Sequence, residues 1–305
     1  MSDKLLSLTE AIDRFVPDGS SIAIGLALEP MIPFAAGHEI IRQGRRNLTL
    51  IGPISDILFD ELIGAGCVSD CIAAWIGNVS EGLGYNYRRA TEEGWPHPIT
   101  VEDHSNYSIG LALLAGALGV PYIPMRSLLG SDISRNHPRM RLVASPLDGR
   151  PQLLVSALHP DVAIIHVQRA DAQGRAHAWG GLGICEEAAL AARGVIYTAE
   201  EIVSPEVIES DPNRVLAPAF KTLAVVHVPG GAHPSPVQGF YNRDHTAFAE
   251  YHRRSRTPED FDVWLKEWVY DLPDRNAYLT HLGSERWAGL QAREQHLAAP
   301  ADYGY

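Results

Sequence analysis

The sequence predicts an α/β protein built on an open, mostly parallel sheet flanked by helices. Three observations carry that expectation. Over the first two-thirds of the 305 residues, short β-rich runs alternate with longer helical patterns, the order expected of parallel strands joined by crossover helices. Most of these runs are apolar almost throughout, as strands covered on both faces are. Glycines and turn residues stand where the runs and the helical patterns end.

In chain order, a first helix is expected over residues 5–15. Pro17-Asp18-Gly19-Ser20 then turns the chain into a strand over residues 21–25. A helix over 31–43 leads to a strand over 47–52. A helix over 55–63, with Ser55 as N-cap and Gly66 past its end, leads to a strand over 68–76. Helices follow over 85–93 and 105–118, the second with Ser105 as N-cap and Gly119 past its end, and then a strand over 121–125. Strands over 162–168, 194–198 and 222–228 complete the sheet. A helix over 184–192, closed by Gly194, lies between the first two of these. From Arg243 onward Arg, Asp, Glu, Trp and Tyr dominate, with Phe261, Trp264, Trp268 and Tyr270 at mixed helical spacing. The chain therefore divides into a domain over residues 1–245 and a C-terminal helical segment over 246–305 that docks on that domain or on a partner.

Composition excludes several functions. Thirty-seven acidic against 25 basic residues leave a formal charge of -12, and the scattered cations do not form a nucleic-acid footprint. No apolar run reaches the ~18 residues of a membrane helix. The opening Met-Ser-Asp-Lys lacks the pattern of a signal peptide, so a cytoplasmic protein is expected. Cys67, Cys71 and Cys185 are an odd set, expected to be reduced thiols. Cys67 and Cys71 are spaced like half a zinc site but lack a second pair or a nearby histidine, and no metal is expected. The thirteen histidines show no His-Glu-x-x-His, and no Gly-x-Ser-x-Gly elbow occurs.

The candidate site residues follow strands. Gly25 and Leu26 end the first strand before a helix, where backbone N–H groups can face an anion. Gly77 and Asn78 open a glycine-rich loop that carries Glu81. Glu102 and Asp103 stand where a strand meets a helix N-terminus, as caps or as reacting groups; Ser105 and Asn106 begin that helix. Arg126 follows the fourth expected strand and offers a fork to a substrate carboxylate, or a tie to Asp132. The residues alone lead to an α/β protein whose post-strand loops hold an anionic ligand.

An ordered set of motifs extends this. The Asp18-Gly19 turn with Gly25, Asn47-Leu48-Thr49-Leu50-Ile51-Gly52-Pro53, Leu62-Ile63-Gly64-Ala65-Gly66-Cys67-Val68, Gly77-Asn78 through Arg88-Arg89-Ala90, Leu114 to Pro121, Arg126 to Asp132, Ala170-Asp171 with Gly174, and Gly230-Gly231-Ala232-His233-Pro234 occur in one order over residues 5–245. The set resembles the α-type subunit of the family I coenzyme A transferases, in the glutaconate CoA-transferase branch. The resemblance implies the CoA-transferase fold, a β-type partner subunit in an α2β2 assembly, and an active site at their interface. It implies acyl-CoA and carboxylic acid substrates, with coenzyme A as substrate and no bound cofactor. In the family the nucleophilic glutamate lies on the β chain, in the loop after the second strand; here that loop reads Gly52-Pro53-Ile54-Ser55-Asp56. The sequence departs from the family's α pattern at Leu26, where a second glycine is common, and at Glu29-Pro30, where a basic residue precedes the proline. Some relatives of this branch are ring-opening CoA-thioester hydrolases with a carboxylate in the region of Glu102 to Asn106, which makes Glu102 catalytic only under that alternative. A non-catalytic scaffold subunit is the third reading.

Overall fold

The structure, a computed structural model, describes residues 3–292. The strands are β1 (Ser21–Ile24), β2 (Leu48–Gly52), β3 (Val68–Ala73), β4 (Gly77–Asn78), β5 (Gly82–Leu83), β6 (Thr100–Asp103), β7 (Tyr122–Met125), β8 (Met140–Ala144), β9 (Pro151–Ser156), β10 (Val162–Ala170), β11 (Ala176–His177), β12 (Gly194–Ile202) and β13 (Thr222–His227). The main sheet runs β13-β12-β10-β1-β2-β3-β6 with every neighbouring pair parallel, and β11 folds back antiparallel on β10.

Burial explains the apolar runs. Successive side chains of a strand point to opposite faces, and here both faces are covered. Ile22 and Ile24 of β1, with Leu48 and Leu50 of β2, enter one cluster beside Phe34, Phe59 and Leu62. Ala23 and Ile51 enter the other, beside Ile109, Leu113 and Tyr197. From β1 the chain steps outward through β2, β3 and β6, then returns to place β10 on the other side of β1. The strand order therefore reverses between β1 and β10, and ligands of open α/β sheets bind outside the carboxyl ends of the strands at such a point.

The structure differs from the expectations in four places. Residues 122–125 form a strand, but it pairs antiparallel with β9 in a separate three-stranded sheet, β7-β9-β8. β8 and β9 escape sequence reading because they are half-exposed and β9 begins on a proline. The edge strand β6 reads Thr-Val-Glu-Asp and carries no apolar run. Ser55 does not cap its helix, Ile57–Gly64; Asp56 holds that position without a side-chain hydrogen bond, and Ser55 turns away. Gly194 opens β12 instead of closing a helix. Ser105, by contrast, caps Asn106–Leu118 in a reciprocal pairing with Ser108, and Gly119 ends that helix at φ 69°.

Residues 246–292 pack back on the sheet's helical layer; the rest of the expected C-terminal segment, 293–305, lies outside the described residues. Phe248, Tyr251, Phe261, Trp264 and Val269 lie in the same buried cluster as Ile12 and Ile22. Polar fastening completes the contact. Buried Arg275 donates to the carbonyl of Gly230 at 2.7 Å, and His233 bonds Asp244 at 3.0 Å and the Tyr278 hydroxyl at 2.9 Å. Burial lowers the His233 pKa from 6.5 to about 4, against the raising pull of Asp244, so the ring is neutral in the native protein. The unfolded ring takes a proton as the pH falls through 6.5, the native ring only near 4. Its contribution is therefore complete above pH 6.5 and lost as the pH falls toward 4, a change on the order of 3 kcal/mol. Urea denaturation across this window should show stability falling in the wild type and a flatter dependence in His233→Gln; equal slopes would refute the assignment.

Candidate active site

The loops after β1, β2 and β3 meet on one cation. Arg243 Nη2 donates to Asp56 Oδ2 at 2.6 Å and to Ser80 Oγ at 3.0 Å, and Nη1 faces Glu29 Oε2 at 3.7 Å. Glu29 belongs to the loop after β1, Asp56 to that after β2 and Ser80 to the β4–β5 turn within the connection that follows β3. The guanidinium also sits over the Phe248 ring, 3.7 Å from its centroid. Asp56 is fully buried and its Oδ1 accepts the N–H of Val79 at 3.1 Å. Burial raises its pKa, and the Arg243 charge opposes that rise. Asp56 is thus committed to holding loops and offers no free carboxylate. Arg243 escaped sequence reading because it lies 163 residues from Ser80, and only the fold brings the two together.

Gly25 ends β1 at φ 69°, in the left-handed region open to glycine. A Cβ there would stand 2.5 Å from Ser55 Cβ and 2.8 Å from Ser55 Cα. Ser55 occupies that space in order to donate from Oγ to the Ile24 carbonyl at 2.9 Å. Glycine is therefore required by the close approach of two loops of this chain, which is a different reason from access of a substrate oxygen. Leu26 is buried, with its carbonyl accepting the Ile184 N–H at 3.0 Å.

Gly77 and Asn78 form β4 and are both buried. Asn78 organises the turn: Oδ1 accepts the N–H groups of Ser80 and Glu81 at 3.1 Å each, and Nδ2 donates to the Phe248 carbonyl at 2.8 Å. Glu81 is exposed at the tip of that turn. Arg126 is exposed after β7, off the main sheet; the tie to Asp132 does not form, since Asp132 pairs with Arg135 at 2.7 Å. Asn106 is exposed in the first turn of its helix.

Glu102 stands in the outermost strand within a dense network. His104 Nε2 bonds Glu102 Oε1 at 2.9 Å, and its Nδ1 meets Ser108 Oγ at 3.0 Å. Arg139 Nε lies 2.9 Å from Glu102 Oε1. Burial acts to raise the Glu102 pKa, but the His104 hydrogen bond and the Arg139 charge prevail and hold it below the usual carboxylate range. The connectivity Ser108-His104-Glu102 is that of a nucleophile triad. Ser108 is fully buried, however, and its hydroxyl caps its helix, so it meets no substrate. Glu102, His104 and His137 also bring ligand atoms within 4.8 Å of one another. Each ring nitrogen is already engaged, those of His137 by the Asp103 carbonyl at 2.9 Å and the Arg139 N–H at 3.1 Å, and the Arg139 charge opposes a cation. His104, His137 and Arg139 were not among the expected site residues; the segment Asn136-His137-Pro138-Arg139 shows no motif in sequence.

The coenzyme A transferase family model matches residues 5–227 of this chain. The chain belongs to the coenzyme A transferase family. One of the subunits of the 3-oxoadipate CoA-transferase of Pseudomonas knackmussii is 38% identical over 271 residues, covering 89% of this chain and 95% of the relative. The crystal structure of glutaconate coenzyme A-transferase from Acidaminococcus fermentans superposes with a TM-score of 0.88 at 34% identity, covering 95% of this chain and 96% of that chain. In Rhodococcus jostii, a cholesterol ring-cleaving hydrolase has a subunit that is 26% identical over 286 residues, covering 89% of this chain and 94% of the relative. The transferase fold thus carries the Arg243 junction at the carboxyl edge of its sheet, and no helix among the described residues is long and apolar enough to cross a membrane.

Proposed function

We propose that this chain is the α-type subunit of a heteromeric CoA-transferase that moves CoA from an acyl-CoA to a carboxylic acid, with the nucleophilic glutamate on a β-type partner in an α2β2 assembly. The observation that carries the reading is the loop after β2: its one carboxylate, Asp56, is buried and spent on Arg243 and Val79. A carboxylate is a weak nucleophile in water and needs a dry, oriented site with donors for the developing oxyanion. The partner's glutamate attacks the thioester carbonyl and expels CoA thiolate, forming an acyl-glutamyl anhydride. The thiolate then attacks the glutamyl carbonyl, releasing the first acid and leaving a glutamyl-CoA thioester, and the acceptor acid takes the CoA by the same steps reversed. This chain supplies the rigid edge beside that chemistry. Coenzyme A acts as substrate, with no bound cofactor. A cytoplasmic setting suits the three cysteines, which are all free and buried.

Purified alone, the chain should transfer no CoA; co-expressed with its β-type partner, it should yield new acyl-CoA and a borohydride-trappable glutamyl thioester on the partner. Robust transfer by the single chain would sink the reading. The rival is thioester or ring-opening hydrolysis with Glu102 as base, favoured by its place in β6 and by the hydrolase relative. Its lowered pKa makes it a poor base. Glu102→Gln in the intact heteromer should keep transfer within about tenfold, whereas loss of about 10²-fold or more with free acid as product would establish the hydrolase.

A further inference from the structure

A pocket of about 390 Å³ opens at the carboxyl end of β13, where the first turns of two helices meet: Leu8–Phe15 from the domain and Arg275–Leu282 from the C-terminal segment. Neighbouring strands lie about 4.8 Å apart, so β13 stands about 14 Å across the sheet from β1 and apart from the Arg243 junction. The wall holds a buried cation without a counterion. Arg275 is 7% exposed and forms no ion pair among the described residues. Its Nε and Nη2 donate to the carbonyls of Gly230 and His233, at 2.7 and 2.5 Å, while Nη1 is buried with no hydrogen-bond partner among the described residues. Burial opposes the charge and lowers the Arg275 pKa, a cost that a bound anion would offset. The other arginine of the wall, Arg42, is committed to Glu39 at 2.8 Å and to the Leu272 carbonyl at 3.2 Å. Asp274 is committed too, accepting the Ala277 N–H at 2.8 Å.

We infer that this pocket binds a phosphate-type oxyanion, and that the anion fastens the C-terminal segment to the domain. The inference goes beyond the transferase reading and does not depend on it. The first N–H groups of a helix lack an intrahelical partner and carry its positive end. Here the caps Ser7 and Asp274 take the N–H groups of Glu10 and Ala277. Those of Leu8, Thr9, Arg275 and Asn276 are left without a hydrogen bond among the described residues. Two helix ends and one arginine thus offer donors to the same space, the combination that holds phosphate in proteins. His227, exposed at the end of β13, stands in the same wall. Because the donors come from both parts of the chain, an anion that satisfies them ties residues 8–15 to residues 275–282.

The test uses the complex of this chain with its β-type partner, titrated calorimetrically with inorganic phosphate, sulfate and acetate at constant ionic strength. Phosphate and sulfate should bind at least about tenfold more tightly than acetate, whose two coplanar oxygens cannot meet donors on two helix ends and an arginine together. Phosphate should also slow hydrogen exchange in both residues 8–15 and 275–282, and raise the thermal unfolding midpoint as its concentration grows. Thr9→Glu and Asn276→Glu separate the site from the fold. Both side chains are exposed, and a carboxylate at the second position of a helix favours the helix. Each variant should weaken phosphate by about tenfold or more, with the unfolding midpoint in the absence of phosphate unchanged or raised. Equal phosphate affinity in the variants and the wild type, equal binding of acetate, or protection confined to other residues would overturn the inference. So would displacement of the phosphate by coenzyme A, which would assign the pocket to the substrate.

Discussion

Arg243→Ala is expected to destabilise the protein by about 3–5 kcal/mol, because it leaves a charged carboxylate buried without its partner. The side chains of Arg243 and Asp56 are 10% and 0% exposed, so water does not replace the lost contact. The loss extends beyond one pair: the loops after β1, β2 and β3 share this cation, and Phe248 loses the charge over its ring. Activity of the heteromer should fall with stability, since these loops form the carboxyl edge of the sheet. The informative control is Arg243→Ala/Asp56→Asn. An asparagine at position 56 keeps an acceptor for Val79 but carries no charge, so the double variant should regain a sizeable part of the stability lost by the single one. Urea denaturation of the wild type, both single variants and the double gives the coupling directly. A double variant that loses the full sum of the two single effects would refute the stranded-charge account.

Gly25→Val should be comparably damaging, and its damage should appear in folding before it appears in catalysis. Even the first atom of a side chain meets Ser55 Cβ at 2.5 Å, with Ser55 Oγ equally in its way. Overpacking of this kind costs about 1–3 kcal/mol. The positive φ adds about 1–2 kcal/mol for any side chain, and a β-branched one fares worst. The structure therefore points away from a variant that assembles normally and only fails to turn over. Gly25→Ala separates the two effects. Combined with Ser55→Gly, which clears the clashing atoms and relieves the φ of 57° at position 55, it should recover stability relative to Gly25→Ala alone, although the Ser55 hydrogen bond to Ile24 is lost. Thermal unfolding of the three variants decides it: no recovery in the double variant would show that the contact with Ser55 is not what demands glycine.

Much of the fold was legible in the sequence because its central strands are covered on both faces. Ile22-Ala23-Ile24 and Leu48-Thr49-Leu50-Ile51 read as apolar runs for that reason, and Ser105 and Gly119 announce their helix ends through local backbone chemistry. Among the strands that the sequence did not announce, β6, β8 and β9 lie at an edge or in a half-exposed sheet, where pairing is set by neighbours and apolar pattern is weak. Ser55 read as a cap from its type and place, yet its hydroxyl found the Ile24 carbonyl on another strand.

The site divides in the same way. By itself the sequence determined the family resemblance, the glycine at the end of β1 and the lack of a glutamate after β2, since each is a matter of residue type at a position along one segment. Only the tertiary structure decided what those residues do. It joined Arg243 to Asp56, 187 residues away, drew His104 and Arg139 around Glu102, and set Ser55 against Gly25. Charge pairing and steric exclusion act over a few ångströms of space, and distances along the chain do not reveal which residues the sheet will bring that close.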